Sequence, residues 1–202
     1  MRFCKQGDLR LIGHRDLMRC LERLCRRAAV PLGLSAGFHP KPRMTFPLAL
    51  ALGIAGTDEV VEVELAEPLA ADDLLGRLAA HAPPGLRFRS AEILPPGSKK
   101  ARVATVSYQV PIPAQHRAGL SERIERLLGS RSFPIPRPER GTAVDLRASL
   151  EELALREGVL HMRLRTDRAG SAGPRDVLAA LGLADLEKEG VHLTRSAVEV
   201  CA

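Results

Sequence analysis

Aromatic side chains are scarce: there is no Trp, one Tyr and five Phe among 202 residues. A core must therefore be packed with Leu, Val and Ala, and a function that needs several stacked rings starts at a disadvantage. No apolar run approaches the roughly 18–20 residues of a membrane span. The first residues, MRFCKQGDLR, carry neither the apolar stretch nor the cleavage site of a secretory signal. These absences point to a cytoplasmic protein with no membrane partner. The four cysteines, Cys4, Cys20, Cys25 and Cys201, form no metal-type cluster, and on a helix Cys20 and Cys25 would point about 140° apart. Buried, reduced thiols are the expectation. The phosphate-binding GxxxxGKS/T loop, GxGxxG after a strand, HExxH and GxSxG are all missing, as is the CxxxCxxC that holds a radical-chemistry cluster. No cofactor and no metal are expected.

What is present is an uneven charge. Residues 1–43 hold ten Lys/Arg against three acids, so the whole formal excess of +6 sits in the first fifth of the chain. Such asymmetry suits an anionic partner, nucleic acid before membrane. Residues 14–29 carry the clearest helical pattern: Leu17, Leu21, Leu24 and Ala28 share one face, and Pro31 closes the segment. The opposite face carries Arg15, Arg19, Arg23, Arg26 and Arg27, with Glu22 spaced to pair with Arg26. A solvated face normally mixes signs; this one sets a single acid against five bases. His14 stands at the helix start, either as a general base or phosphate contact, or with Asp16 as a tie for the first turn.

The loop SAGFHPKPR follows. Gly37 permits a positive φ, while Pro40 and Pro42 stiffen the chain into an extended form. His39, Lys41 and Arg43 then fall at every second position beside Phe38. Phe38 either plugs the core or offers a ring on which a base stacks.

Beyond the loop, RMTFPLALALGI is expected to be extended, and EVVEVELAE to be a strand with Val61, Val63 and Leu65 on one face and Glu62 and Glu64 on the other. ADDLLGRLAAHA reads as a helix and GLRFRSAEIL as a strand. PPGSKKAR (95–102) reads as a linker. A similar order resumes after it: strand VATVSYQVPI, a helix over 114–128 opening near Ala114, a loop with a short edge strand, a hairpin turning at Glu157-Gly158, a turn over 166–174, a helix from Pro174, and a closing strand VHLTRSAVEV. The expected fold class is α+β, two tandem ferredoxin-like (βαββαβ) halves with antiparallel sheets: 1–94, a linker over 95–102, and 103–202.

The segment FCKQGDLRLIGHRDLMRCLERLCRRAAVPLGLSAGFHPKPRMTFPLALALGI resembles the start of the radical-SAM-linked proteins, a bacterial family of unknown function fused to, or encoded beside, radical-SAM proteins. That family's pattern is matched in place by Phe3, Lys5, Gly7, Leu9, Arg10, Ile12, His14, Asp16, Leu17, Arg26, Arg27, Pro31, Ser35, Gly37, Phe38, Pro40, Pro42 and Phe46. The match covers about 65 residues and is only general in layout beyond them. Where the family has Asn and His in the loop, this chain has His39 and Lys41, so no role for a histidine at position 41 carries over. The resemblance implies an accessory protein to a radical-SAM enzyme, one acting on RNA.

The resulting expectation is an RNA-binding accessory protein with two partners, RNA and a radical-SAM protein. Arg15, Arg19, Arg23 and Arg27 would contact phosphates, Lys41 and Arg43 would extend the track beside His39, Phe38 would stack on a base, and His14 would hydrogen-bond a phosphate or ribose. Two alternatives stay open. One is a metal-independent endoribonuclease using His14; the other is a protein-interaction module docking through Glu62 and Glu64.

Overall fold

The computed structural model describes residues 1–95, 97–137, 142–167 and 171–201. The chain divides into two units, Met1–Arg102 and Val103–Cys201.

In the first unit, β1 (Arg2–Lys5) buries Phe3, Cys4 and Lys5 and becomes the middle strand of an antiparallel trio. A 3-10 turn over Gly7–Leu11 leads into α1 (His14–Arg27). The helix ends in a left-handed residue at Ala29, φ +50°, with Val30 N–H donating to Cys25 O at 2.9 Å and Ala29 N–H to Arg26 O at 3.2 Å. This is a Schellman-type close with alanine where glycine is usual, and Pro31 follows as expected. Inward, Leu17, Leu21, Leu24, Cys25 and Ala28 meet Phe3, Val61, Leu74, Leu78 and Leu86 in one core, each large side chain contributing about 1.5–3 kcal/mol by burial.

The expected strand over 43–54 shrinks to β2 (Met44–Thr45). The expected strand around Val61 is split: β3 (Ala55–Val60) pairs with β1, whereas β4 (Glu62–Val63) turns away to pair with β2. Val61 lies at the switch, fully buried. Then α2 (Ala71–His81) leads to β5 (Leu86–Ser90), which flanks β1 on its other side, giving the order β5-β1-β3.

The second unit is built on β6 (Arg102–Pro111), whose Val106, Tyr108 and Val110 alternate inward. The expected single helix over 114–128 is broken into a 3-10 turn, Ala114–His116, and α3 (Leu120–Gly129), because Gly119 sits at φ +65° between them. A hairpin of β7 (Pro134–Arg137) and β8 (Thr142–Asp145) is inserted before the four-residue α4 (Leu146–Ser149). The expected hairpin is present as β9 (Leu150–Arg156) and β10 (Val159–Arg165), with Glu157 and Gly158 both at positive φ in its two-residue turn. α5 (Pro174–Ala180) has Pro at its first turn, and β11 (Thr194–Cys201) closes the order β11-β6-β10-β9. Residues 168–170 of the expected turn lie outside the described residues.

All four cysteines are free. Cys4 and Cys25 are buried as expected, the latter thiol pushed up to about 11 by burial, but Cys20 is half-buried and Cys201 exposed. No helix among the described residues is long and apolar enough to cross a membrane.

Candidate nucleic-acid interface

Because α1 spends its leucine stripe on the core, its arginines are forced outward. At about 100° per residue, Arg15, Arg19, Arg23 and Arg26 fall within about 80° of arc opposite the leucines, with Arg27 about 40° further on. All five are exposed. Their engagement differs. Arg19 faces Asp16 at 3.4 Å in an exposed pair, the kind that contributes little. Arg27 donates to the carbonyl of His81 at 3.2 Å, where α2 ends. Arg15, Arg23 and Arg26 have no ion-pair or hydrogen-bond partner among the described residues; Glu22, expected to pair with Arg26, does not. Arg23, Arg26 and Arg27 line a depression of about 380 Å³ together with Cys20 and Pro83. The arginines line it with their aliphatic stems, and no carboxylate is among the lining residues. Pro83 comes from beyond α2, and nothing local to α1 announces it.

The loop over residues 34–42 is a projection from a small ladder. Gly33, Arg43 and Glu64 bond in a ring: Gly33 N–H to Glu64 O at 2.7 Å, Glu64 N–H to Arg43 O at 3.0 Å, and Arg43 N–H to Gly33 O at 2.8 Å. A side chain at Gly33 would crowd Glu64, whose Cγ and O lie 3.2 and 3.3 Å from an ideal Cβ, so close approach explains glycine there. Above this ring a bridge joins Leu34 to Pro42, and Ser35 N–H donates to Lys41 O at 2.9 Å. Lys41 N–H in turn donates to Ser35 Oγ at 3.0 Å. At the tip Gly37 takes φ +117°.

Phe38 is 103 % exposed, so the alternative in which it plugs the core is excluded. His39 and Lys41 are exposed beside it. Arg43 is not a free cation: its Nη1 donates to both oxygens of Glu64, at 2.8 and 3.0 Å. The same contact consumes Glu64, and Glu62 accepts from the Ala101 N–H at 2.9 Å. Each carboxylate thus has a contact from its own unit, and the Glu64 side chain stays exposed.

His14 opens α1 but lies about 100–180° around the helix from Arg15, Arg19, Arg23 and Arg26. Its ring meets Phe46 edge-on at 4.9 Å, and its Nδ1 is buried without a hydrogen-bond partner. Burial, and then the positive charge of Lys5, push its pKa below the ordinary value. The pattern of the sequence did not announce that Lys5 and Glu59 are both buried; Glu59 fits because Gly56, which neighbours it on β3, has no Cβ to strike it. The expected tie between His14 and Asp16 is replaced by Asp16 with Arg19. Among the described residues no group of three metal-ligating side chains is found.

The chain belongs to the family described as uncharacterized protein conserved in bacteria (DUF2344), whose pattern matches residues 1–174. No curated protein matches it.

Proposed function

We propose that this member of a bacterial family is an RNA-binding accessory protein that works with a radical-SAM enzyme. The observation that carries the RNA reading is the set of unpaired cations on one helix face, Arg15, Arg23 and Arg26. Among the described residues no carboxylate or carbonyl of the fold engages them, whereas Glu64 engages Arg43. The fully exposed Phe38 beside Lys41 supports it, since an aromatic ring held on a proline-stiffened loop stacks on a base without reading its identity. The partner rests on the resemblance of residues 3–54 to radical-SAM-linked proteins. The two units are read as ferredoxin-like halves: the order β11-β6-β10-β9 follows the fourth-first-third-second arrangement of a βαββαβ sheet, and β5-β1-β3 has three of those four positions.

The test is binding to mixed cellular RNA across a salt series, wild type against an Arg15→Glu/Arg23→Glu/Arg26→Glu variant and against Phe38→Ala. Four phosphate contacts on a single strand give a log–log slope near −3, roughly a 50-fold loss between 50 and 200 mM salt. The charge reversal should flatten that slope to about −1, and Phe38→Ala should weaken binding about tenfold at every salt concentration. Flat, weak binding in all three proteins would overturn the RNA reading and leave the arginines as a docking face for protein.

A further inference from the structure

A second cluster of arginines, in the other unit, is built differently. A cleft of about 440 Å³ is lined by Ser130, Arg131, Arg147, Ala148, Leu150, Glu151 and Arg165. Arg147 is its fixed point. Its Nε donates to Leu128 O at 3.0 Å and its Nη1 to Leu150 O at 3.1 Å. The backbone beneath it is held as well, since Asp145 caps α4 by accepting from Arg147 N–H at 2.9 Å and also accepts from Phe133 N–H at 2.9 Å. Those backbone contacts hold the Asp145 carboxyl below the usual carboxylate range.

Two carbonyls position the guanidinium but cannot neutralise it. Of the five N–H donors of an arginine, three remain unspent. No carboxylate completes the arrangement. Glu151, the acid of the cleft, is taken at 3.1 Å by Arg163 Nε and at 3.1 Å by Arg165 Nε. Arg131 is exposed and has no ion-pair or hydrogen-bond partner among the described residues. The lining therefore sets three guanidiniums against one shared carboxylate.

We infer that this cleft is a phosphate-binding site, taking the dianion of a phosphomonoester. Guanidinium forks match both carboxylate and phosphate; the surplus of two positive charges selects a doubly charged ligand over a singly charged one. Arg147 receives the oxyanion in a preset geometry, with little side-chain entropy left to lose, while Arg131 closes on it from solvent. This inference stands apart from the RNA reading, which uses α1 and the Phe38 loop.

The probes are inorganic phosphate and adenosine 5′-monophosphate, titrated calorimetrically into the full chain at constant ionic strength. Wild type should bind both in the millimolar range or tighter, and Arg131→Glu should weaken both by at least about tenfold. Arg131 supports no other group in the fold, so that variant should melt like wild type in the absence of phosphate. Arg147→Lys keeps the charge but loses the fork, and should also bind about tenfold more weakly. The α1 triple reversal should leave phosphate binding unchanged, so failure here and failure of the RNA reading are separable. No heat of binding, equal affinity in Arg131→Glu, or loss of binding in the α1 variant would each overturn the assignment.

Discussion

Arginine does different work on α1 and in the second unit. In the second, the guanidiniums are mostly spent within the fold. Arg137 Nη1 meets Asp176 at 3.0 Å, Arg175 grips Glu187 with Nε at 2.6 Å and Nη2 at 2.9 Å, and Arg163 joins Glu151 to Glu199. Arg123 ties down the carbonyls of Leu181, His116 and Ala118. On α1 of the first unit the same side chain is left over, with Arg15, Arg23 and Arg26 unpaired. The number of positive charges in a segment thus says little about how many are available to a ligand. What matters is whether the fold brings a carboxylate or a carbonyl to meet each one, and a cation without such a partner retains its full attraction for an anion.

The largest effect should come from breaking the spent kind. Asp176, with a side chain only 17 % exposed, pairs with Arg137 and also accepts from Gly173 N–H at 2.7 Å, capping α5. Asp176→Ala removes both contacts and strands Arg137, so stability to urea should fall by about 2–3 kcal/mol. Arg23→Ala, by contrast, should stay within about 0.5 kcal/mol of wild type. Similar losses in the two variants would erase the distinction between spent and available charge.

A smaller effect should follow from converting one kind into the other. Glu64→Gln releases Arg43 from its carboxylate while leaving the backbone ring of Gly33, Arg43 and Glu64 intact. RNA affinity at low salt should rise about threefold, and the salt slope should steepen by about 0.7, as for one added phosphate contact. An unchanged slope would mean that Arg43 never faces the ligand.

The smallest is a pH effect at His14. Folding favours the neutral imidazole there, so the unfolded chain takes up the proton first. Stability is therefore full above the ordinary histidine value of 6.5 and declines as pH falls below it toward the lowered folded value. In His14→Asn the part of the stability–pH slope below 6.5 that belongs to this residue should vanish. An identical slope in both proteins would place His14 in a more open setting than its buried Nδ1 indicates.

Much of this was legible in the sequence wherever the controlling contacts are local. The leucine spacing of α1, its end before Pro31, the Glu157-Gly158 hairpin and Pro174 at the start of α5 all appeared where their patterns put them, because helix faces and tight turns are set by residues within a few positions of one another. The expected strand around Val61 failed in an instructive way. Its alternation is real, but alternation cannot say with which partner each portion pairs, and the chain changes partner at Val61. The candidate interface was half legible: five arginines on one face could be read from spacing alone, and which of them lack partners could not.

By itself, then, the sequence determined the amphipathic helix, the order of strands and helices in outline, and the concentration of positive charge in the first 43 residues. Only the tertiary structure decided that Arg43 belongs to Glu64 and Arg27 to the end of α2, that Phe38 points wholly into solvent, that Lys5 and Glu59 are buried, and that Arg147 stands fixed in a cleft whose one carboxylate, Glu151, is held by other arginines. The physical reason is range. Periodicity is a property of neighbours, whereas neutralising or burying a charge depends on groups that folding brings together from 19, 21 or 54 residues away.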